Sequence, residues 1–183
     1  MLELLVSIGI FLLITAMVLV NFRSGQYRDE LSGSAQLVQS LVREAQTATL
    51  SGTVTATPCV VGQPAAAPPA GYGVYVAPPA SPGQPPIVKE FADCESIAPT
   101  YQYIPGNPLF LDVKQATLSS HVTLAASDLQ PGSPLSIVFD HLSEQVKVNG
   151  SSSADAVVTL HHRYTTGAPE VRVNVSTGQV FVQ

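Results

Sequence analysis

The side chains in this chain that could do chemistry lie mostly in its second half, and none is arranged for a familiar reaction. His161-His162 is the first candidate for a metal. Neighbours on a strand point to opposite faces, so the two cannot converge on one ion. With no glutamate between helical histidines and no cysteine pair nearby, they read as strand histidines, and no metal is expected. Glu90, Asp93 and Glu95 cluster around Cys94 and offer the oxygen donors that calcium takes, but without EF-hand-like spacing. They read as a solvated acidic turn. Asp140-His141 could be joined to any of many serines as a triad. Nothing resembles a nucleophile elbow, and hydroxyl, imidazole and carboxylate residues are too frequent here for coincidence to count. No phosphate-cradling glycine loop or dinucleotide fingerprint occurs, so no cofactor and no catalytic activity are expected. The sequons at Asn149 and Asn174 carry weight only in a host that glycosylates. Cys59 and Cys94 are the two cysteines. In an exported domain they pair; in the cytosol they stay reduced. If the domain lies outside the cytosol, a Cys59–Cys94 disulfide is expected. Such a bond would close a loop worth about 3–4 kcal/mol by chain-entropy arguments.

Glu3 is a different kind of candidate. It opens the run Met1–Phe22, in which Leu4 to Val20 carry no charge and only Ser7 and Thr15 are polar. At a helical rise of 1.5 Å that stretch makes about 25 Å, just enough for a hydrocarbon layer of about 30 Å. A secretory signal peptide needs basic residues in front and small residues at a cleavage site behind. Here Met1 and Leu2 precede the run and Asn21-Phe22-Arg23-Ser24 follows it. The run therefore reads as a membrane-spanning helix, and a carboxylate at its start is a functional hypothesis by default. The simplest role for Glu3 is to sit in the headgroup layer, close to the amine of Met1.

The elements that position these residues follow from periodicity. Beyond Phe22, Tyr27, Leu31, Ala35, Val38, Leu41, Val42, Ala45 and Ala48 recur at three- and four-residue steps, one face of an α-helix. One long helix thus runs over residues 1–50, membrane-spanning over 1–22 and amphipathic over 23–50. Gly25 and Gly33 each weaken it by up to about 1 kcal/mol and mark a bend or local melting. Ser51-Gly52 stops it. The stripe is expected to pack on a globular domain over 51–183. Residues 58–86 hold nine of the fifteen prolines and are expected to be extended, exposed loops around the strand Gly71–Val76. Ile87–Phe91, Leu109–Val113, His121–Ala125, Leu135–Phe139, Gln145–Val148 and Ala156–Tyr164 read as further short strands. The terminal hairpin is Glu170–Val175, a turn at Ser176-Thr177-Gly178, then Gln179–Val182. A long helix followed only by short strands is an α+β domain, its antiparallel sheet packed on the apolar stripe.

Composition narrows the partners. The 183 residues fit one membrane segment and one domain. Of the net charge of −5, residues 51–183 carry −4, from nine acids and five bases. A mildly acidic domain offers no broad footprint for nucleic acid.

The stretch Leu2-Glu3-Leu4-Leu5-Val6, leading an apolar helix, resembles the N-terminus of type IV pilins and type II secretion pseudopilins. Their precursors carry a basic leader ending in Gly, then Phe-Thr-Leu-(Ile/Leu)-Glu-Leu. The match begins at Leu2; Met1 stands where the next leucine would be, as expected of a start placed downstream of the natural one or of a trimmed chain. Gly71-Tyr-Gly-Val-Tyr-Val, Ile137-Val-Phe-Asp and Val171-Arg-Val-Asn-Val-Ser-Thr-Gly-Gln-Val resemble the strand layout of minor pseudopilins of the H type and their FimT-like relatives. The proline-rich insertion is outside that pattern. The resemblance implies a non-catalytic filament subunit held in the inner membrane, with its domain outside the cytosol, and partnered by other pilin or pseudopilin subunits. It also implies processing by a prepilin peptidase. Glu3 then pairs with the terminal ammonium of the adjacent subunit and sets axial register, since a buried charge wants a partner. Some major pseudopilins bind calcium, the reading weighed above for Glu90, Asp93 and Glu95. Two alternatives belong to other classes. A DNA-uptake pilin would need a basic patch, and only Arg163 and Arg172 stand in the late strands. A membrane-anchored hydrolase would have to use Asp140 and His141.

Overall fold

The computed structural model describes residues 2–53, 59, 69–79, 81, 84–94, 102–126, 134–141, 145–151 and 155–183. Helix α1 (Leu2–Leu50) runs for 49 residues without interruption. The local melting weighed for Gly25 and Gly33 does not occur. Both glycines lie on exposed sides, with nothing within 4 Å of where a Cβ would stand. One isolated penalty of about 1 kcal/mol is too small to break a helix propagated on both sides of it. The helix ends where Ser51-Gly52 predicts. Gly52 takes a φ of 60°, its N–H donates to Thr49 O, and Thr53 N–H donates to Ala48 O. That is the paired bonding of a Schellman cap.

Among the described residues nine strands follow, all paired antiparallel. β1 (Gly71–Ala77), β2 (Ile87–Asp93), β3 (Phe110–Thr117), β5 (Leu135–Asp140) and β6 (Val146–Val148) form one sheet in the order β3-β2-β1-β5-β6. β4 (Val122–Ala126), β7 (Ala156–His162), β8 (Glu170–Val173) and β9 (Val180–Val182) form a second, in the order β4-β7-β8-β9. The α+β class stands, but the single expected sheet is two. Alternation along a strand says which face is buried; it does not say which strand lies alongside.

Both sheets close on the same stripe of α1. Leu31, Ala35, Val38, Leu41, Val42 and Ala45 join Tyr72, Val74, Ile137 and Val146 of the first sheet and Val122, Val158, Leu160, Val171 and Val180 of the second in one core. Each fully buried side chain of this size contributes roughly 1.5–3 kcal/mol over its exposed state. Polar bonds pin the last two turns of the helix to both sheets. Thr49 Oγ1 accepts from Tyr72 N–H at 3.0 Å, and Arg43 donates to Val180 O at 3.1 Å.

The far face of the five-stranded sheet is covered as well. Tyr75, Phe91, Tyr103, Phe110 and Val138 make a second apolar cluster there. Gly73 lies beneath the Phe91 ring, where a Cβ would come 2.7 Å from that ring and 2.6 Å from Ile137 O. Cys59 and Cys94 are joined by a disulfide, as expected, with Cα atoms 5.1 Å apart. Much of the proline-rich stretch at 58–86 lies outside the described residues. Gly178 takes the left-handed φ of 67° that the terminal turn requires.

Candidate functional site

Two regions could carry function. The first is the amino-terminal half of α1. Leu4, Val6, Ile8, Ile10, Phe11, Leu12, Leu13, Ile14, Met17, Val18, Leu19 and Phe22 are all exposed, so the apolar surface surrounds the helix instead of forming a stripe. The segment is long and apolar enough to cross a membrane, and none of its most apolar window is buried within the protein. Glu3 sits in the first turn with its side chain exposed. Its backbone carbonyl accepts from Ser7 Oγ at 2.9 Å, and Phe11 O accepts likewise from Thr15 Oγ1 at 2.8 Å. The two polar residues of the apolar run therefore spend their hydroxyls on the helix itself, as an apolar environment requires.

The second region lies where α1 first meets the sheets. His161 and His162 do face opposite ways: His161 is exposed, and the His162 side chain is fully buried. His162 is more than a strand histidine, however. Its Nε2 lies 3.2 Å from Glu30 Oε2, while His121 Nδ1 lies 3.7 Å from Glu30 Oε1. Tyr164 N–H donates to His162 Nδ1 at 3.2 Å, so the ring proton of the neutral imidazole is on Nε2 and points at Glu30. The Ser119 hydroxyl, then the His162 ring, hold the Glu30 carboxyl below its ordinary value against the opposing effect of partial burial. Tyr27 lies tilted against His162 and Tyr164 meets it edge-on, with centroids 5.0 and 5.9 Å away. Sequence reading missed Glu30 and His121 as members of a site. Glu30 stands one position before Leu31 on the buried stripe, which was the only local signal.

The acidic residues near Cys94 overturn an expectation. Glu90 and Asp93 are buried in β2, not in a solvated turn; Glu95 lies outside the described residues. Lys89-Glu90 looks like solvent-facing sequence, but β2 is an interior strand covered on both faces. Glu90 Oε2 has no hydrogen-bond partner among the described residues. Burial, with repulsion from Glu44 adding to it and Lys114 opposing, pushes its pKa up to about 7. Lys114 meanwhile bridges to Glu44 of α1 at 2.7 Å.

The remaining candidates are held by structural bonds. His141 Nδ1 lies 3.1 Å from Thr49 O, so it donates there and caps a last-turn carbonyl of α1. Asp140 is buried on β5. Asn149 Oδ1 accepts from Ser136 N–H, and Asn174 Oδ1 accepts from Ser176 and Thr177 N–H, so both asparagines of the sequons organise turns. Arg172 pairs with Glu170 at 2.9 Å, and Arg163 lies over the Tyr164 ring.

A long apolar amino-terminal helix whose second half packs on antiparallel sheets is a pilin-like architecture. With the disulfide, it is consistent with a membrane-anchored domain outside the cytosol. Compared with protein-family models, with curated proteins and with solved structures, the chain gives no significant match.

Proposed function

We propose that the chain is a structural subunit, a minor pilin or pseudopilin, of a type IV pilus or type II secretion filament, without catalytic activity. The observation that carries this reading is α1: one unbroken helix, its described apolar side chains exposed from Leu4 to Leu19 and packed from Leu31 onward. Such a helix has two apolar environments in which its first half is stable, a lipid bilayer and a bundle of like helices. A filament subunit uses them in turn, in the inner membrane first and in the filament core afterwards. Its neighbours are then other pilin or pseudopilin subunits, and a prepilin peptidase acts on the precursor.

Within this reading Glu3 docks against the terminal ammonium of the adjacent subunit. Glu3→Leu makes the helix more apolar and leaves insertion intact. It strands the neighbour's ammonium in a low-dielectric bundle, a loss of about 3–5 kcal/mol for a broken buried pair. Glu3→Gln keeps the size and removes the charge, and is nearly as harmful. The experiment separates membrane-bound from sheared, filament-associated protein. Normal membrane levels with depleted filament levels support docking. Equal filament levels for wild type and both variants leave Glu3 without an assembly role.

A further inference from the structure

We propose that Glu30, His121 and His162 form a binding site for a divalent transition-metal cation of the zinc type, clamping α1 to the four-stranded sheet. The three side chains come from the helix, from the turn before β4 and from the end of β7, and one donor atom from each lies within 4.8 Å of the others. This proposal stands apart from the filament reading and uses none of its residues.

The donor set selects the ion. Two imidazole nitrogens and one carboxylate oxygen suit zinc, cobalt, nickel or copper, whereas calcium and magnesium take oxygen shells. Three protein donors also leave a fourth position for water. The surroundings are those of a supported site. The Glu30 carboxylate already lies beside both rings. Ser119 hydrogen-bonds that carboxylate, and Tyr27 and Tyr164 wall the His162 ring from solvent. Orienting partners of this kind hold metal ligands in place.

Two adjustments accompany binding. Donors around a tetrahedral ion at bonds of about 2.0–2.1 Å stand roughly 3.3 Å apart, so the cluster must contract. His121 supplies that movement, because its side chain is 45 % exposed and sits in a turn. The second adjustment is a tautomer exchange. With the cation on His162 Nε2, the ring proton moves to Nδ1, and Tyr164 N–H gives up its acceptor there. Tyr164 lies in the exposed turn after β7 and can turn that N–H to water. No proton is released from His162 in the exchange.

The test uses the full chain in detergent micelles, titrated with Co2+ or Zn2+ alone. The proposal expects one saturating equivalent, a Co2+ spectrum of four- or five-coordinate nitrogen and oxygen ligation, and a rise in melting temperature. His121→Ala changes a half-exposed turn residue and should weaken binding by at least about tenfold. Glu30→Gln should do the same and gives a second variant that keeps side-chain volume. His161→Ala, one residue from His162 on the opposite face, should bind as wild type does. Absence of saturable binding to the wild-type chain overturns the proposal. So does equal affinity in His121→Ala and Glu30→Gln, or loss of binding in His161→Ala, which would put the ion on the outer face of the strand.

Discussion

The two halves of α1 share one backbone and two solvation problems. From Leu4 to Leu19 the described apolar side chains point in every direction and no described residue covers them. From Leu31 to Thr49 burial recurs every three or four residues, and charged residues such as Arg43 and Glu44 occupy the other side. The difference teaches where the folding free energy of the domain resides. Apolar residues of the stripe in the second half are buried by the chain's own sheets; the described ones in the first half are left exposed.

The largest test of this division removes the first half. A chain starting at Ser24 should leave the membrane fraction, stay soluble and keep its mixed helix and sheet signal in circular dichroism. An unfolded fragment would erase the distinction between the halves. Next in size are single truncations on either side. Leu41→Ala should destabilise the domain by about 2–5 kcal/mol, as large-to-small changes in cores do. Leu12→Ala, measured on the full chain in detergent, should change domain unfolding by no more than about 0.5 kcal/mol. Similar losses at both sites would mean that the first half is folded into the domain after all.

The packed half also has a pH signature. Glu90 lies beneath it, in reach of Glu44 and Lys114, with its pKa raised from 4.5 to about 7. The folded state therefore holds this proton more tightly than the unfolded chain does. The contribution of Glu90 to stability is full below about pH 4.5, falls as pH rises through about 7, and is flat beyond that. The loss is on the order of 3 kcal/mol, at 1.36 kcal/mol per unit. Glu90→Gln should flatten the profile across this window, as read by denaturant unfolding at several pH values. The smallest contrast uses the helical glycines. Gly33→Ala, in open space on the packed half, should stabilise the domain by up to about 1 kcal/mol. Gly25→Ala, ahead of the first buried position, should leave the domain's unfolding midpoint where it was.

What the sequence disclosed is what local periodicity can encode. The stripe from Leu31 to Ala48, the cap at Gly52, the turn at Gly178 and the extent of most strands follow from spacing and backbone preference. The cysteine pair followed from an even count and an exported compartment. Sheet partition did not, because Val122 and Val138 look alike in a strand whichever sheet they join. The burial of Glu90 and Asp93 was hidden for a related reason. Charges in a strand imply solvent unless distant segments cover both faces; here α1 lies over the face that Glu90 shares with Val74, and the cluster that includes Tyr103 covers the other. Glu30 and His162 are 132 residues apart, and no spacing rule reaches that far.

The final strand has a consequence for how the chain is made. Arg43 of α1 donates to Val180 O, and β9 pairs with β8 to complete the sheet over the helix. β1 likewise waits for β5, its partner across Gly71 and Asp140. Synthesis delivers the stripe first and its cover last. Contacts this far apart along the chain require large loops to close before any burial rewards them, which places such domains among the slower folders. Until residue 180 has emerged, the first sheet can cover only part of the helix face, and the share that β8 and β9 bury stays open. Shielding of that face during translation then becomes a requirement of the topology itself.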